Sequence, residues 1–285
     1  MKVVGVIPAR YQSSRFPGKP LADLCGKPMI WWVYQQCRKV EEFDKVYVAT
    51  DDRRIMDACT SLKMDVLLTS GKHPTGTDRV GEVAGKTAAD LYVNIQGDEP
   101  LLEPGTIRAA ITPFSLDAGL QVTNLMTRIK NPVDVVNPTV PKVVTNKDGI
   151  GVYLTRAAAP YPKGGLGFDY YKQVCVYGFR PDALRFYCDY GRKYGKAKAE
   201  SVEDIEILRF IENGYRVQYV EVESDTVAVD TPNDLKRVRM IMERKDRGME
   251  KEMERKRKNP GGGICNNRIV YFNSAAHARI RKGVA

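Results

Sequence analysis

A short basic loop near the start of the chain carries the first residues whose types suggest chemistry. The apolar run VVGVIPA (3–9) leads into the segment 9–20, where Arg10, Arg15 and Lys19 are interspersed with serine and glycine residues. Small residues let backbone amides approach a phosphate, guanidinium groups bind its oxygens in pairs, and lysine adds a point charge. The chain has no G-x-x-x-x-G-K-[ST] motif, so this is not a Walker A loop. The alternative is an ordinary solvated loop, but its place at the carboxyl end of a strand favours phosphate binding.

Two aspartates that follow other strand-like runs are candidate magnesium ligands. Asp98 lies in NIQGDEP (94–100), and Asp230 lies in TVAVDTPNDL (226–235). Mg²⁺ typically takes one or two protein carboxylates and fills its other positions with water and phosphate oxygens. Each aspartate could instead cap the helix or turn that follows it. Together with the basic loop, the two carboxylates predict a site for a metal and a nucleotide. A further segment, HPTGTDR (73–79), leads into a helix whose N-terminus can take an anion or a base edge.

The elements that must position these residues alternate between strand and helix over the first part of the chain. Apolar runs predict strands at 2–9, 45–50, 64–70 and 90–100. Helical spacing and capping residues predict helices at 27–40, 51–62, 75–88 and 103–114. This alternation is typical of an α/β fold in which a mostly parallel sheet is flanked by helices.

The pattern changes after residue 118. Four strand-like segments, separated by proline and glycine, occur at 120–129, 139–146, 150–160 and 170–180. We interpret residues 119–180 as a β-rich insertion at one edge of the sheet. Helices are expected at 181–191 and 201–214, a strand at 216–224, and a helix that begins at 231.

Most of the net charge of +10 belongs to the C-terminal part of the chain. Residues 245–285 contain eleven Lys and Arg against four Asp and Glu, a net of +7, which leaves +3 for residues 1–244. We therefore predict a folded domain at 1–244 followed by a basic, disordered tail, and we expect no nucleic-acid partner. The alternative is that ERKRK (254–258) and RIRK (279–282) bind nucleic acid or an acidic membrane surface.

The composition predicts a cytoplasmic protein without a membrane span. The chain has no stretch of about 18 apolar residues, and its N-terminus does not resemble a signal peptide. Its six cysteines form no C-x-x-C pair, as expected for thiols of a reducing compartment. With only two histidines, His73 and His277, any metal would be held by carboxylates.

Several of these motifs together resemble one enzyme family. They are PARYQSSRFPGKPL, ATDD, H-x-x-G-T-x-R, NIQGDEP, LTRAAAP, VYGFR and AVDTPNDL. In this order and approximate spacing, over about residues 1–243, they resemble the CMP-Kdo synthetases, or 3-deoxy-manno-octulosonate (Kdo) cytidylyltransferases. The resemblance implies a glycosyltransferase-A-type, Rossmann-like nucleotidyltransferase fold. It also implies a homodimer, CTP as the nucleotide and Mg²⁺ as the cofactor.

The same resemblance assigns site residues. It places CTP against residues of the basic loop and two later segments, namely Pro8, Ala9, Arg10, Ser14, Arg15, Lys19, Thr77, Arg79 and Gln96. It makes Asp98 and Asp230 the magnesium ligands, which together with Arg10 and Lys19 form the expected catalytic set. The sugar acid is expected against residues of the insertion and the helix after it, namely Arg156, Gln173, Tyr177 and Glu206. The insertion is also expected to make the dimer contacts.

Two residues depart from the best-known members of that family on the expected sugar-contacting surface. Gln173 stands where those members have histidine, and Ile207 stands where they have glutamine. Losing an imidazole and an amide changes which sugar substituents a pocket can pair with. Alternative substrates are therefore 8-amino-Kdo and other sialic-acid-like sugars.

The implied reaction is transfer of CMP from CTP to the anomeric hydroxyl of a 3-deoxy-2-ulosonic acid, with release of pyrophosphate. The activated sugar would serve the synthesis of lipopolysaccharide or another surface polysaccharide. A nucleotidyltransferase that acts on sugar phosphates should instead carry a Gly-Gly-x-Gly-Thr-Arg loop, which this chain lacks.

Overall fold

The computed structural model describes residues 1–13, 15–164, 167–224 and 227–244. Met1–Met240 form one compact unit, and the architecture below is that of this unit. In chain order its strands are β1 (Val3–Ala9), β2 (Asp23–Leu24), β3 (Lys27–Pro28), β4 (Lys45–Thr50), β5 (Val66–Leu68), β6 (Leu91–Ile95), β7 (Val122–Arg128), β8 (Lys142–Thr145), β9 (Gly151–Thr155), β10 (Tyr171–Phe179) and β11 (Val217–Glu221).

Its helices are α1 (Met29–Cys37), α2 (Arg53–Ser61), α3 (Gly76–Lys86), α4 (Pro104–Ala109), α5 (Pro113–Leu116), α6 (Val133–Val136), α7 (Pro181–Tyr194), α8 (Lys198–Glu203) and α9 (Leu208–Glu212). A 3₁₀ turn spans Lys19–Leu21, and a further helix begins at residue 232. Within the described ranges, no helix is both long enough and apolar enough to span a bilayer.

A mixed, mostly parallel sheet forms the centre of the unit. Its main path has the order β11-β7-β10-β6-β1-β4-β5, and β8 and β9 extend it beside β10. Along that path β10 runs antiparallel to both of its neighbours, whereas the other neighbouring pairs are parallel. At the centre, Gly5 of β1 lies between Val46 of β4 and Val93 of β6. The predicted α/β fold with a mostly parallel sheet is confirmed.

Helices cover both faces of the sheet, which explains why β1 is an unbroken apolar run. Val3, Ile7 and Ala9 belong to one buried cluster, which also contains residues of α1 and α2. Val4 and Val6 belong to a second cluster, with residues of α3, α7 and α9. Successive side chains of a strand point to opposite faces, so a strand buried on both faces shows no polar alternation.

The interpretation of residues 119–180 as an insertion at one edge is wrong for two of its four strands. β10 pairs with β6, and β7 pairs with β10 and β11, so both lie inside the main sheet. Only the antiparallel pair β8–β9 departs from the main path, through β8. The apolar pattern identified these strands, but it could not specify their neighbours.

Two predicted helices are divided in the structure. The helix predicted at 103–114 becomes α4 and α5, since Pro113 begins a second helix instead of continuing the first. The helix predicted at 201–214 becomes α8 and α9. Asp204 between them has a left-handed backbone with φ 51° and ψ 50°, which ends α8.

Candidate active site

A cavity of about 430 Å³ lies beyond the carboxyl ends of β1 and β6. It is lined by the basic loop, the turn after β6, the start of α3 and the segment 196–206. Five residues predicted from the sequence reach it from β1 and the basic loop, namely Pro8, Ala9, Arg10, Arg15 and Lys19. Four more line it from elsewhere, namely Gln96, Asp98, Glu206 and Asp230. Ser14 lies outside the described residues.

Close backbone packing brings the turn after β6 against the end of β1. A Cβ atom on Gly97 would lie 3.0 Å from the carbonyl oxygen of Pro8, so a larger residue would force the two segments apart. The next residue, Asp98, accepts a backbone hydrogen bond from Val229 at 2.9 Å. These contacts place the basic loop, Asp98 and Asp230 side by side.

The ammonium group of Lys19 joins the two predicted metal carboxylates. Its Nζ lies 2.7 Å from Oδ2 of Asp98 and 3.3 Å from Oδ1 of Asp230, and it donates to the carbonyl of Val229 at 3.1 Å. Arg15 lies 3.0 Å from the same oxygen of Asp230. Two carboxylates and two cations therefore meet at the cavity wall, where an anionic substrate can exchange with them as partners.

The alternative of a capping role for Asp230 is wrong. Thr231 caps the following helix, because its hydroxyl accepts the amide of Asp234 at 3.2 Å. The carboxylate of Asp234 in turn accepts the amide of Thr231 at 2.9 Å. This reciprocal pair satisfies the start of the helix, so the side chain of Asp230 is left to face Lys19 and Arg15.

The donor set of this wall fits a magnesium ion bound with a nucleotide. In the described ranges, no group of three or more His, Cys, Asp or Glu residues could enclose a metal. Two carboxylates that already converge on one cationic nitrogen suit a cation whose remaining ligands are water and phosphate.

The first turn of α3 holds a carboxylate of the same cavity. Thr75 caps this helix, because its hydroxyl accepts the amide of Asp78 at 3.1 Å. The amides of Gly76 and Thr77 donate to the two carboxylate oxygens of Glu206, at 3.3 and 3.1 Å. Burial raises the pKa of Glu206, although hydrogen bonds from Thr77 and Gly76 oppose that shift. Thr77 was predicted to contact the nucleotide, but its amide is bonded to Glu206.

Arg79 reaches a second cavity of about 450 Å³, which shares Arg10 and Gln12 with the first. The Arg79 side chain is fully buried, and its Nη2 lies 3.3 Å from Oδ1 of Asp51. Nε of Arg79 has no hydrogen-bond partner among the described residues, and Nη2 has only its contact with Asp51. Burial lowers the pKa of Arg79, and Asp51 opposes that change. A buried donor without a partner at a cavity wall is suited to a polar ligand.

Three of the predicted sugar-binding residues do not line either cavity. The guanidinium of Arg156 donates to the carbonyls of Pro138, Glu203 and Asp204. Its donors therefore hold backbone segments together.

The other two lie on β10. The amide of Gln173 donates to Oδ1 of Asn124 at 2.8 Å, and Tyr177 is buried and stacks on Phe179. Burial raises the pKa of Tyr177 well above its usual value. Of the four predicted sugar-binding residues, Glu206 alone lines one of these two cavities.

Sequence reasoning missed an ion pair that lines the first cavity. Lys196 Nζ lies 2.6 Å from Oδ1 of Asp204, and both residues contribute to the wall near Glu206. Neither residue belongs to a local motif, because Lys196 lies in a lysine-rich connection and Asp204 interrupts a helical pattern. The only available signal was their nearness in sequence to Glu206.

Sequence comparison and structure comparison both find cytidylyltransferases that resemble this chain. The family model for cytidylyltransferases matches residues 4–223. A 3-deoxy-manno-octulosonate cytidylyltransferase of Geobacter metallireducens is 41% identical over 251 residues, which cover 84% of this chain and 96% of the relative. The protein of that name from Trichlorobacter lovleyi is 40% identical and covers 85% of this chain and 99% of its own.

Solved structures extend the comparison. CMP:2-keto-3-deoxy-manno-octonic acid synthetase complexed with CTP has a TM-score of 0.81 at 37% identity, and covers 86% of this chain and 100% of its own. The 4-diphosphocytidyl-2C-methyl-D-erythritol synthase of Anaerococcus prevotii has a TM-score of 0.57 at 14% identity, which indicates a shared fold alone.

Proposed function

The chain belongs to the family of 3-deoxy-manno-octulosonate cytidylyltransferases, and on this basis we propose that it transfers CMP from CTP to the anomeric hydroxyl of Kdo. The products are pyrophosphate and an activated sugar for lipopolysaccharide or another surface polysaccharide. One observation carries the proposal: Lys19 bridges Asp98 and Asp230 at 2.7 and 3.3 Å, on the cavity wall formed by the basic loop. We place the enzyme in the cytoplasm, where CTP is made.

The reaction must bring together two anions, so charge neutralisation and positioning supply most of the catalysis. Arg10, Arg15 and Lys19 reduce the repulsion between the triphosphate and the sugar acid. Lys19, at the end of the loop, holds the charge that develops on the departing pyrophosphate. Asp98 and Asp230 would hold Mg²⁺, which would polarise the α-phosphate and screen its charge.

The remaining residues divide between the two substrates. Arg79, whose buried Nε has no partner among the described residues, lines the second cavity and is suited to bind the acceptor atoms of the cytosine ring. Gln96, on the first cavity, is assigned to the ribose side of the nucleotide. Glu206, fixed by two amides of α3, accepts hydrogen bonds from sugar hydroxyls. Arg156 contributes by holding the segment 203–204, two residues before Glu206.

The positions of the two departures from the family pattern favour Kdo over its amino and sialic-acid-like relatives. Ile207 is 1% exposed and packs in the second core cluster, so the expectation that it lies on the sugar-contacting surface is wrong. Gln173 is bonded to Asn124, and neither residue lines either of the two cavities described above. Neither substitution therefore removes a group from the cavity wall.

An assay of pyrophosphate release tests this function. Each of the four nucleoside triphosphates is combined with Kdo, 8-amino-Kdo and a sialic-acid-like acid, and reactions without sugar control for hydrolysis of the nucleotide. We expect the fastest release with CTP and Kdo in the presence of Mg²⁺. Failure to release pyrophosphate from that pair would overturn the proposal. Faster release with 8-amino-Kdo would identify 8-amino-Kdo, and not Kdo, as the sugar substrate.

We also propose that the enzyme is a homodimer. Large apolar side chains are exposed on the segment 133–168, namely Val133 (65%), Val136 (70%), Val152 (55%), Tyr161 (81%) and Phe168 (48%). Large exposed apolar side chains concentrated in one segment of the chain favour association with a second copy. Val133→Asp combined with Val136→Asp should shift sedimentation from dimer to monomer. Leu116→Asp, an exposed apolar position outside the segment, is the matched control, and a monomeric wild type would contradict the proposal.

A further inference from the structure

A chain of buried polar groups connects three helices to the first turn of α3. It begins at Arg209 of α9, which is 1% exposed and donates two bonds of 2.6 Å to the carboxylate of Glu200 on α8. A third donor of Arg209 binds the carbonyl of Tyr187 on α7 at 2.8 Å. Glu200 is fully buried and also accepts the amide of Ala197 at 3.0 Å. A buried ion pair with these additional bonds fixes α7, α8 and α9 against one another.

The hydroxyl group of Tyr187 extends this chain toward the cavity. It lies 3.2 Å from Oε1 of Glu200 and 3.3 Å from the hydroxyl oxygen of Thr75. Thr75 also lies 2.7 Å from Oδ2 of Asp78. Two hydroxyl hydrogens serve these three contacts. Thr75 donates to Asp78, so the bond between Tyr187 and Thr75 forms when Tyr187 points its hydrogen at Thr75 instead of at Glu200. Glu200 keeps its bonds from Arg209 in either arrangement.

Thr75 connects the buried hydroxyl group of Tyr187 to the wall of the cavity. It caps α3 and lines the cavity, and the next two amides, of Gly76 and Thr77, hold the carboxylate of Glu206. The backbone carbonyl of Glu206 in turn accepts the amide of Arg209 at 3.2 Å. The contacts therefore form a closed circuit that begins and ends at Arg209.

We propose that Tyr187 is a positioning residue for the sugar acid, because its hydroxyl, acting through Thr75, fixes the turn of α3 that orients Glu206. Tyr187 is fully buried and lines neither of the two cavities of the site, so it acts without touching substrate. The inference rests on the proposed function, because it needs Glu206 to contact the sugar.

Tyr187→Phe tests the inference with little change in packing. Phenylalanine keeps the ring, which stacks on Phe210 at 5.4 Å and lies under the guanidinium of Arg209 at 3.7 Å. Loss of one buried hydrogen bond should raise KM for Kdo about three- to tenfold. KM for CTP should stay unchanged. The acidic limb of kcat/KM for Kdo should also move to higher pH, since a carboxylate that loses amide donors is protonated more readily.

Tyr92→Phe is a matched control. Tyr92 lies on β6, and its hydroxyl group contacts the C-terminal end of α3, whereas Tyr187 contacts the N-terminal end. The hydroxyl of Tyr92 is also buried and lies 2.9 Å from the carbonyl oxygen of Thr87, just after α3. This variant loses a comparable hydrogen bond far from Glu206, so it should alter thermal stability without changing KM for Kdo. An equal rise of KM in both variants, or an unchanged KM in folded Tyr187→Phe, would overturn the inference.

If Tyr187→Phe does not fold, two substitutions of Thr75 test whether the turn that Tyr187 contacts orients Glu206. Thr75→Val removes the hydroxyl group and Thr75→Ser keeps it, so the valine variant should raise KM for Kdo more than the serine variant. Equal values of KM would overturn the inference. Turnover of CTP and Kdo by the wild-type protein, measured in parallel, tests the proposed function separately. If the wild type shows no turnover, the proposed function is rejected. If it turns over normally, a negative result in the variants rejects only the inference about Tyr187.

Discussion

At the scale of single residues, the site depends on which charges face each other in the protein without substrate. Lys19 and Arg15 neutralise Asp98 and Asp230, so the wall carries cations and carboxylates in equal number. Such a wall can receive a metal with a triphosphate without leaving a buried charge unpaired.

The first prediction concerns the two carboxylates. Asp98→Asn and Asp230→Asn should each lower kcat at least a hundredfold, because asparagine keeps the shape but loses the charge that a hard cation requires. Raised Mg²⁺ should rescue either variant only in part. Turnover measured against Mg²⁺ concentration, with thermal melts as a control for folding, checks this. Asp234→Asn, in the adjacent helix cap, is the matched control and should keep nearly normal turnover. Wild-type-like kinetics in both variants would remove the aspartates from the mechanism.

The second prediction concerns stability against pH at Glu82, on the side of α3. Burial alone would raise its pKa, but bonds from Lys86, the amide of Ser70 and His73 outweigh burial and lower the pKa to about 2. A carboxylate with a lowered folded-state pKa stabilises the protein above its unfolded-state pKa, and this contribution is lost as the pH falls toward 2.

Glu82→Gln should therefore destabilise the protein at pH 7 by roughly 1–3 kcal/mol, and the difference should shrink as the pH is lowered below about 4.5. Urea unfolding at a series of pH values measures this. Lys86→Met, which removes one partner, should show part of the same effect. Parallel stability curves for wild type and Glu82→Gln down to pH 3 would contradict the argument.

At the scale of elements, the contact between α3 and α7 depends on one missing side chain. A Cβ atom on Gly81 would lie 2.2 Å from Sγ of Cys188, whereas a Cβ on Gly85, one turn later, would meet nothing within 4 Å. α7 therefore packs directly against α3 at Gly81, whereas the space next to Gly85 is open.

The third prediction follows from that contact. Gly81→Ala should destabilise the protein by about 1–3 kcal/mol through overpacking. Gly85→Ala should be neutral or stabilise it by up to about 1 kcal/mol through helix propensity. Adding Cys188→Ala should restore most of the stability lost in Gly81→Ala, and urea unfolding of the double-mutant cycle measures this coupling. Equal changes in the free energy of unfolding for the two glycine substitutions would show that α7 can shift to accommodate a methyl group at Gly81 without loss of stability.

The same scale shows how far the sequence could predict the structure. β1, β4, β5 and β6 were predicted because each is a short apolar run between polar segments, which local pattern describes well. The place of β10 inside the sheet was not, since the pattern of a strand does not specify its neighbours. The break at Asp204 was also missed, because non-glycine residues seldom adopt a left-handed backbone.

Some residues of the site could also be predicted from the sequence, and others could not. Lys19 and Asp98 were predicted as site residues because each follows a strand, where ligands of α/β sheets bind. Asp230 was predicted from the β-branched run before it, but residues 227–229 form no strand. Arg156 was assigned to the sugar, but its donors are taken by three carbonyls, which no local pattern reveals. Lys196 and Asp204 were missed because their pairing depends on how α8 follows α7 in space.

At the scale of the whole molecule, the fourth prediction concerns the basic tail, which lies outside the described residues. Deletion of residues 246–285 should leave kcat, KM and the melting temperature nearly unchanged, because a charged, glycine-interrupted segment adds little core. Activity assays and thermal melts of the shortened protein check this. A large fall in melting temperature would show that the tail packs on the body, and oligonucleotide binding that disappears on deletion would support its alternative role.

The bonds of Lys19 span most of the folded chain, since they reach Asp98, 79 residues away, and Asp230, 211 residues away. Closing loops of that length has an entropic cost that contacts within each loop do not offset, so we expect the second carboxylate to join the site late in folding. During synthesis, the nucleotide site is incomplete until residue 230 has left the ribosome. Nucleotide that binds only the finished site then stabilises the whole fold, by about 2.7 kcal/mol at a hundred times its Kd. A nucleotide that binds this site would therefore stabilise the complete chain but not a chain that ends before residue 230.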